Sequence, residues 1–300
     1  MDKVLITGAG GMLGRYVADQ FTDNEIYTLG LKEDSGFICD LTKSSPDFNG
    51  KTFNTIIHCA GTENDALAME LNYEGTRRLV KGLGENIPEN FVYVSSHRVY
   101  SRDAGENIDE DTNTWATDES GKSKSLAENF LIDWAQKHDV TITIIRPATM
   151  FGNGVSGEML QLFNDAISGK YIHIRDNDAR TSIVTALDVA IAIKKLYDKG
   201  GIYNATDGKN PRLIDLVEAM TANAGAKKRM THLPIAWAEW IWRLGRWIPS
   251  IERNLSPFVV EKRMKTLTLD GSRLAQKIDM EFHDTIRVIE RTDNSYPYTQ

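Results

Sequence analysis

Thr7-Gly8-Ala9-Gly10-Gly11-Met12-Leu13-Gly14 lies between a short apolar run and an amphipathic stretch that begins at Met12. Glycines at 8, 11 and 14 permit a tight turn, let backbone N–H groups approach a ligand, and seat a helix close to the preceding strand. The first N–H groups of that helix have no partner within it and add positive potential. Glycines alone would be plain loop chemistry. Set between a strand and a helix in register, Gly8, Gly11, Met12, Leu13 and Gly14 fit the pyrophosphate of a dinucleotide. Further on, Cys39-Asp40-Leu41 follows a short strand, and Asp40 has two readings: an acceptor for an adenine amino group, or a cap.

The elements that must hold these residues follow from hydrophobic spacing. Apolar runs of strand length at residues 4–7, 26–29, 55–59, 91–95 and 141–146 alternate with helical patterns, which predicts a parallel sheet covered on both faces. Leu13, Val17 and Phe21 recur at four-residue spacing over 12–21, and Leu71, Leu79 and Val80 lie within 67–80, each set consistent with one buried helical face. The fold class is therefore α/β, a Rossmann-type doubly wound sheet. After Gly152 the pattern is less regular, with short strands near 171–174, 182–184 and 202–204 and helices near 158–168, 187–198 and 213–224. This predicts a dinucleotide-binding domain over 1–151, to which segments near 179–205 return, and a smaller, interleaved substrate lobe over 152–300. No internal repeat, low-complexity segment or long linker divides the chain.

Composition narrows the function classes. The 300 residues are 41% hydrophobic and 26% charged, and 35 Lys and Arg stand against 42 Asp and Glu for a formal charge of -7. No basic block is present to neutralise a run of phosphates, so nucleic acid is not an expected partner. The two cysteines, Cys39 and Cys59, sit in or beside strand-like runs and read as reduced thiols, and no set of ligands suggests a metal. Neither a signal peptide nor a membrane span is evident, which predicts a cytoplasmic protein.

The chain resembles extended short-chain dehydrogenases/reductases, in the NAD-dependent epimerase/dehydratase family that acts on nucleotide sugars. The resemblance covers nearly the whole length. The family's Thr-Gly-x-x-Gly-x-x-Gly matches Thr7 to Gly14, its adenine-site Asp and aliphatic residue match Asp40 and Leu41, and its Ala-Gly after the fourth strand matches Ala60-Gly61. Asn72-Tyr73-Glu74-Gly75-Thr76 resembles the helix that closes on the sheet through its Asn. Val94-Ser95-Ser96-His97-Arg98-Val99-Tyr100 resembles the active-site strand end, which implies the catalytic hydroxyl at Ser96. Arg146-Pro147-Ala148-Thr149 matches a further strand end, implying cofactor contact by Pro147 and substrate contact by Thr149, Ser96 and His97. Ser120-Gly121-Lys122-Ser123-Lys124, with Glu128 beyond, matches Tyr-Gly-x-Ser-Lys-x-x-x-Glu except at its first residue.

That departure falls on the proton carrier. When a hydride leaves a carbinol carbon for nicotinamide, the hydroxyl must lose its proton. In the family a Tyr accepts it, its pKa lowered by the ammonium of a Lys one helical turn away. Here Lys124 remains and Ser120 replaces the phenol, so activity is expected to be impaired. Tyr100 and His97 are alternative proton carriers, but Tyr100 reads rather as a residue packed near the substrate and His97 as a substrate contact or a hydrogen-bonded structural residue. Family dehydratases carry Asp and Glu after the catalytic hydroxyl, where this chain has His97 and Arg98, so a 4,6-dehydratase is disfavoured. The acidic segment 103–119 reads as a solvated loop.

The resemblance implies NAD(P) as cofactor. Family members specific for NAD commonly end the second strand with an acid; Gly30 stands there, followed by Lys32, which leans towards NADP, although Glu33 and Asp34 are close. Residues 233–248 carry Trp237, Trp240, Trp242 and Trp247, and Leu233, Trp237, Trp240, Ile241, Leu244 and Ile248 fall at helical spacing. A packed helix is the expectation, a membrane-surface helix the alternative. Helices near 67–81 and 123–137 resemble those through which the family dimerises. The expected function is epimerisation or keto-reduction at C4 of a nucleotide-linked sugar, against a non-catalytic NAD(P)-binding sensor or scaffold.

Overall fold

A computed structural model describes residues 1–101, 105–224 and 230–291. The first strand, β1 (Lys3–Thr7), leads through the glycine turn into α1 (Met12–Gln20) and back into β2 (Glu25–Gly30) and β3 (Phe37–Ile38). Then follow β4 (Thr55–His58), α2 (Asp65–Ala68), a π-helical turn at Met69–Glu74, α3 (Gly75–Leu83), β5 (Asn90–Val94), α4 (Glu119–His138) and β6 (Thr141–Pro147). Next come β7 (Thr149–Phe151), α5 (Gly157–Ile167), β8 (Ile172–Ile174), β9 (Ile183–Thr185), α6 (Ala186–Leu196) and β10 (Gly201–Ala205). The remainder is α7 (Leu213–Asn223), β11 (Thr231–Leu233), α8 (Ile235–Gly245), α9 (Pro249–Leu255), α10 (Pro257–Met264), α11 (Ser272–Lys277) and α12 (Thr285–Arg291).

Seven strands form one sheet in the order β10-β6-β5-β4-β1-β2-β3, and every pairing is parallel. Its central strands β1, β4, β5 and β6 are buried on both faces, as the continuous apolar runs require. Val4 and Ile6 enter one core with Val17, Phe21, Val189 and Ile193; Leu5, between them, enters the other with Leu79, Leu131 and Trp134. The two-residue period of β1 thus feeds α1 and α6 on one face and α3 and α4 on the other.

Two departures from the sequence pattern stand out. The stretch read as one helix over 67–80 is broken by the π turn, whose extra residue disrupts the four-residue spacing; Leu79 is buried, whereas Leu67 is exposed and Leu71 only half-buried. The tryptophan helix α8 packs, but not by the stripe its spacing predicts. Its buried residues are the small ones, Ala238 and Gly245, while Trp237 and Trp240 are 60% and 59% exposed. An added Cβ at Gly245 would lie 2.4 Å from Ile251 Cδ1, so the glycine admits α9 against this side, where Ile241 and Trp242 also pack half-buried, while Trp237, Trp240 and Leu244 face outward.

Candidate active site

The sequence-selected residues gather at the C-terminal ends of the parallel strands, where an open α/β sheet presents its crevice. At the first strand end Gly8 takes φ +67°, and a Cβ there would meet the Ala60 backbone at 2.8 Å. At Gly14 a Cβ would lie 2.2 Å from the Gly8 carbonyl oxygen. The turn is therefore closed to side chains, and α1, capped at Gly11 without a side-chain hydrogen bond, directs the N–H groups of Met12 and Leu13 outward from its start. This cradle fits a dinucleotide pyrophosphate.

A buried relay joins this turn to the next strand ends. Thr76 Oγ1 donates to the Asn72 carbonyl at 2.6 Å, so it accepts from His58 Nε2–H at 2.9 Å. His58 Nδ1 then accepts from the Thr7 hydroxyl at 2.6 Å, and Thr7 in turn accepts from the Ala60 N–H at 3.2 Å. The imidazole is thus neutral, in keeping with a pKa that burial pushes down to about 3, helped by the nearby Lys124 charge. Asn72 extends the network. Its amide donates to Thr62 O and Ser123 Oγ and accepts from Thr62 N, clamping the loop after β4 to α4.

Lys124 enters from α4, which begins at an Asp118 cap accepting from Gly121 N at 2.8 Å. Its ammonium donates to the Val94 carbonyl at 2.8 Å, and an added Cβ at Gly61 would lie only 3.1 Å from Nζ. Burial lowers its pKa to about 8, against the pull of Glu63, Glu128 and Cys59. Ser96 is buried at the end of β5, where its Oγ accepts from Arg98 N at 3.2 Å and caps the short turn 97–99. His97 Nδ1 lies 3.2 Å from the Pro147 carbonyl, and burial pushes its pKa down to about 4, so it is neutral at pH 7. Thr149 begins β7 beside Pro147.

Ser120 behaves differently from its helical neighbours. It is fully enclosed; its N–H donates to Asp65 Oδ1 at 3.0 Å and its hydroxyl to the Thr62 carbonyl at 3.3 Å. The hydroxyl is therefore engaged by the loop after β4 rather than by Lys124 or Ser96. Over this loop lies Arg98, largely buried, with Asp118 at 3.3 Å, Asp65 at 3.8 Å and Glu63 at 4.0 Å. In the sequence Arg98 and the acidic segment that holds Asp118 stand out without being joined, and Glu63 and Asp65 do not stand out at all. Their signal was acidity in the loop after β4, beyond its Ala60-Gly61 motif.

Tyr100 is a structural residue here. Its hydroxyl donates to Asn204 Oδ1 at 2.9 Å and accepts from Arg146 at 2.8 Å, and Arg146 makes a two-pronged buried pair with Glu128. Asp40 Oδ1 accepts from the N–H and hydroxyl of Thr42, and Oδ2 pairs with Lys43 at 2.8 Å. The Lys43 and Thr42 hydrogen bonds hold its pKa down at about 2. Leu41 is buried in the core, with a Cβ at Gly75 only 3.3 Å from its own. Lys32 is exposed beyond β2. Of the acidic segment 103–119, Asp103 lies outside the described residues. Among those described, no cluster of potential ligands suits a metal ion, and no helix is long and apolar enough to cross a membrane.

A doubly wound parallel sheet with a glycine turn at its first strand end and a buried lysine over its crevice defines a dinucleotide-fold protein. More narrowly, residues 4–206 match the NAD dependent epimerase/dehydratase family, and the chain belongs to that family. It is 27% identical over 252 residues to the N-acetyl-alpha-D-glucosaminyl-diphospho-ditrans,octacis-undecaprenol 4-epimerase of Escherichia coli O157:H7, spanning 78% of this chain and 76% of that protein. Among solved structures it is similar to the UDP-N-acetylglucosamine 4-epimerase from Bacillus cereus, with a TM-score of 0.76 and 18% identity over 100% of this chain and 98% of that one. RMD from Pseudomonas aeruginosa complexed with NADPH gives a TM-score of 0.74, with 18% identity over 98% of each chain.

Proposed function

We propose that the protein is a nicotinamide-dependent C4 epimerase or keto-reductase of a nucleotide-linked sugar, slowed by Ser120. The observation that carries this reading is the buried Lys124 ammonium, held by Val94 O beside Gly61 at the crevice of a sheet whose first turn excludes side chains. Bound there, a nicotinamide would supply hydride exchange with the sugar carbon. The protein's part is to position and to move the proton: Gly8, Gly11, Met12, Leu13 and Gly14 take the pyrophosphate, Ala60, Gly61 and Pro147 line the path, and Lys124 holds the nicotinamide ribose. Ser96 polarises the sugar oxygen, with His97 and Thr149 alongside. The region from residue 152 receives the rest of the substrate, and Gly30 with Lys32 favours NADP.

Calorimetry with NADP and NAD, followed by thermal shift with UDP-, dTDP-, GDP- and CDP-sugars, tests this. NADP is expected to bind at least as well as NAD, and at least one sugar nucleotide to raise the Tm. Absence of binding by either dinucleotide overturns the proposal. The name of the E. coli relative favours a second carrier, a sugar on a polyprenyl diphosphate, which the same assay distinguishes by silence across the nucleotide panel. The enclosure of Ser120 favours the sensor reading to the extent that dinucleotide binds without turnover.

A further inference from the structure

One buried titratable side chain takes no direct part in the proposed reaction. His58 ends β4 fully enclosed, its ring walled by Phe91 and Tyr93 at centroid distances of 6.3 and 5.6 Å. An imidazole so placed is costly unless both nitrogens are satisfied. They are, and all in one direction: Ala60 N–H donates to the Thr7 hydroxyl, Thr7 to His58 Nδ1, His58 Nε2–H to the Thr76 hydroxyl, and Thr76 to the Asn72 carbonyl. Hydrogen bonds aligned head to tail strengthen one another. Position 58 therefore requires one acceptor and one donor on the same side chain.

The neighbouring segments are held by different means. The glycine turn is braced by main-chain bonds, from Gly8 N–H to the Leu29 carbonyl at 3.0 Å and from Gly11 N–H to the Gly8 carbonyl at 2.9 Å. The segment after β4 is held by side chains. Ala60 N–H rests on Thr7 Oγ1, and Thr62 is gripped at its N–H and its carbonyl by the Asn72 amide. Thr76 braces the far end, because its hydroxyl bonds the carbonyl of Asn72 in the π turn that brings that amide to the loop. Gly61 lies between the two grips, where a Cβ would be 3.1 Å from both Asn72 Oδ1 and Lys124 Nζ.

We propose that His58 is a positioning residue, which sets Ala60-Gly61-Thr62 against the glycine turn and so shapes the nicotinamide half of the dinucleotide site. This rests on the reading that a dinucleotide occupies the crevice. The imidazole acts through others, through Thr7 at one end and through Thr76 and Asn72 at the other. Because the Thr62 carbonyl also accepts from the Ser120 hydroxyl, the same chain of bonds fixes the loop over position 120. Removing the imidazole strands two enclosed hydroxyls and loosens residues 60–62, while the glycine turn keeps its main-chain bonds.

Calorimetry with NADP, NAD and ADP on the full chain, on His58→Leu and on His58→Gln tests it. ADP ends at the pyrophosphate and reports the glycine turn, whereas the further affinity of a dinucleotide reports residues 60–62. His58→Leu is expected to weaken the dinucleotide that the parent prefers by about tenfold or more and ADP by no more than about twofold. His58→Gln, whose amide both accepts and donates, is expected to recover most of that loss. Should His58→Leu not fold, Thr76→Val breaks the chain at its other hydroxyl and is expected to give the same split, with Thr76→Ser restoring affinity. In folded variants, an equal loss for ADP and dinucleotide, no loss at all, or no recovery in His58→Gln and Thr76→Ser overturns the inference. A parent that binds neither dinucleotide overturns the underlying reading, and the inference with it.

Discussion

The glycine turn and the roof over Ser120 lie at neighbouring strand ends, yet they are built on opposite terms. In the turn, function belongs to the backbone, and the sequence contributes by omission: a Cβ at Gly8 or Gly14 would collide with main-chain atoms. At the roof, on the proposed reading, function would belong to one side chain, a phenol in whose place Ser120 stands. Asn72 and Ser123 share one buried network, Lys124 is held separately by the Val94 carbonyl, and the Thr62 carbonyl accepts from the Ser120 hydroxyl. A backbone site is lost only by adding atoms. A side-chain site is lost by a single exchange, with the fold intact.

The sharpest way to break this contrast is Gly14→Val. The new side chain would begin 2.2 Å from the Gly8 carbonyl, so dinucleotide affinity is expected to fall at least 100-fold by calorimetry, with stability lowered by about 1–3 kcal/mol from overpacking. Retained affinity would show that the turn is not the cofactor's seat.

Ser120→Tyr addresses the other region. A phenol beside Lys124 is expected to raise turnover of a productive sugar substrate by ~10²–10⁴-fold, the usual contribution of a general acid/base. Because Ser120 is fully enclosed, the gain requires the loop at Thr62 to yield, and the variant's Tm is expected to fall. A lower Tm with no gain in rate would mean that the roof has closed for good.

Arg146→Met probes the scaffold that both regions share. It strands Glu128 in the core and removes a donor from Tyr100, and chemical denaturation is expected to show a loss of about 3–5 kcal/mol. A loss below 1 kcal/mol by the same measurement would place Tyr100 and Asn204, not the ion pair, at the centre of that network.

The smallest effect is one of pH. Lys124 carries a pKa of about 8 when folded against 10.5 as its ordinary value, so the unfolded chain binds more protons between those limits and stability contributed by this group rises with pH across the window. Subtracting the stability profile of Lys124→Met from that of the parent is expected to leave a positive slope from about pH 8 to 10.5 and none below. His58, with its pKa near 3, has the same sign at lower pH: its contribution is lost as pH falls from 6.5.

The strands and the closed glycine turn were legible because each is encoded locally, by apolar runs of strand length and by glycines at fixed offsets. Three features were not. The π turn at Met69–Glu74 depends on Asn72 reaching Thr62 and Ser123, partners ten and fifty-one positions away. The tryptophans of α8 were read as core because helical spacing reports that residues share a face, and carries no information on whether anything covers it. The exchange at position 120 was plain in the sequence, but its consequence depends on the loop carrying Thr62, Glu63 and Asp65, which no spacing rule connects to α4.

The far edge of the sheet has its own consequence for how the chain is made. β6 is fully bonded only when β10 pairs with it, in register from Thr143 with Gly201 to Pro147 with Ala205. Everything between them must be synthesised first, so a nascent chain ending near residue 151 presents a hydrophobic, unpaired edge that is a template for association between chains. The last strand of the sheet therefore acts as a seal on folding: until it emerges, the N-terminal half is exposed to aggregation, and completion of the sheet waits on the intervening region.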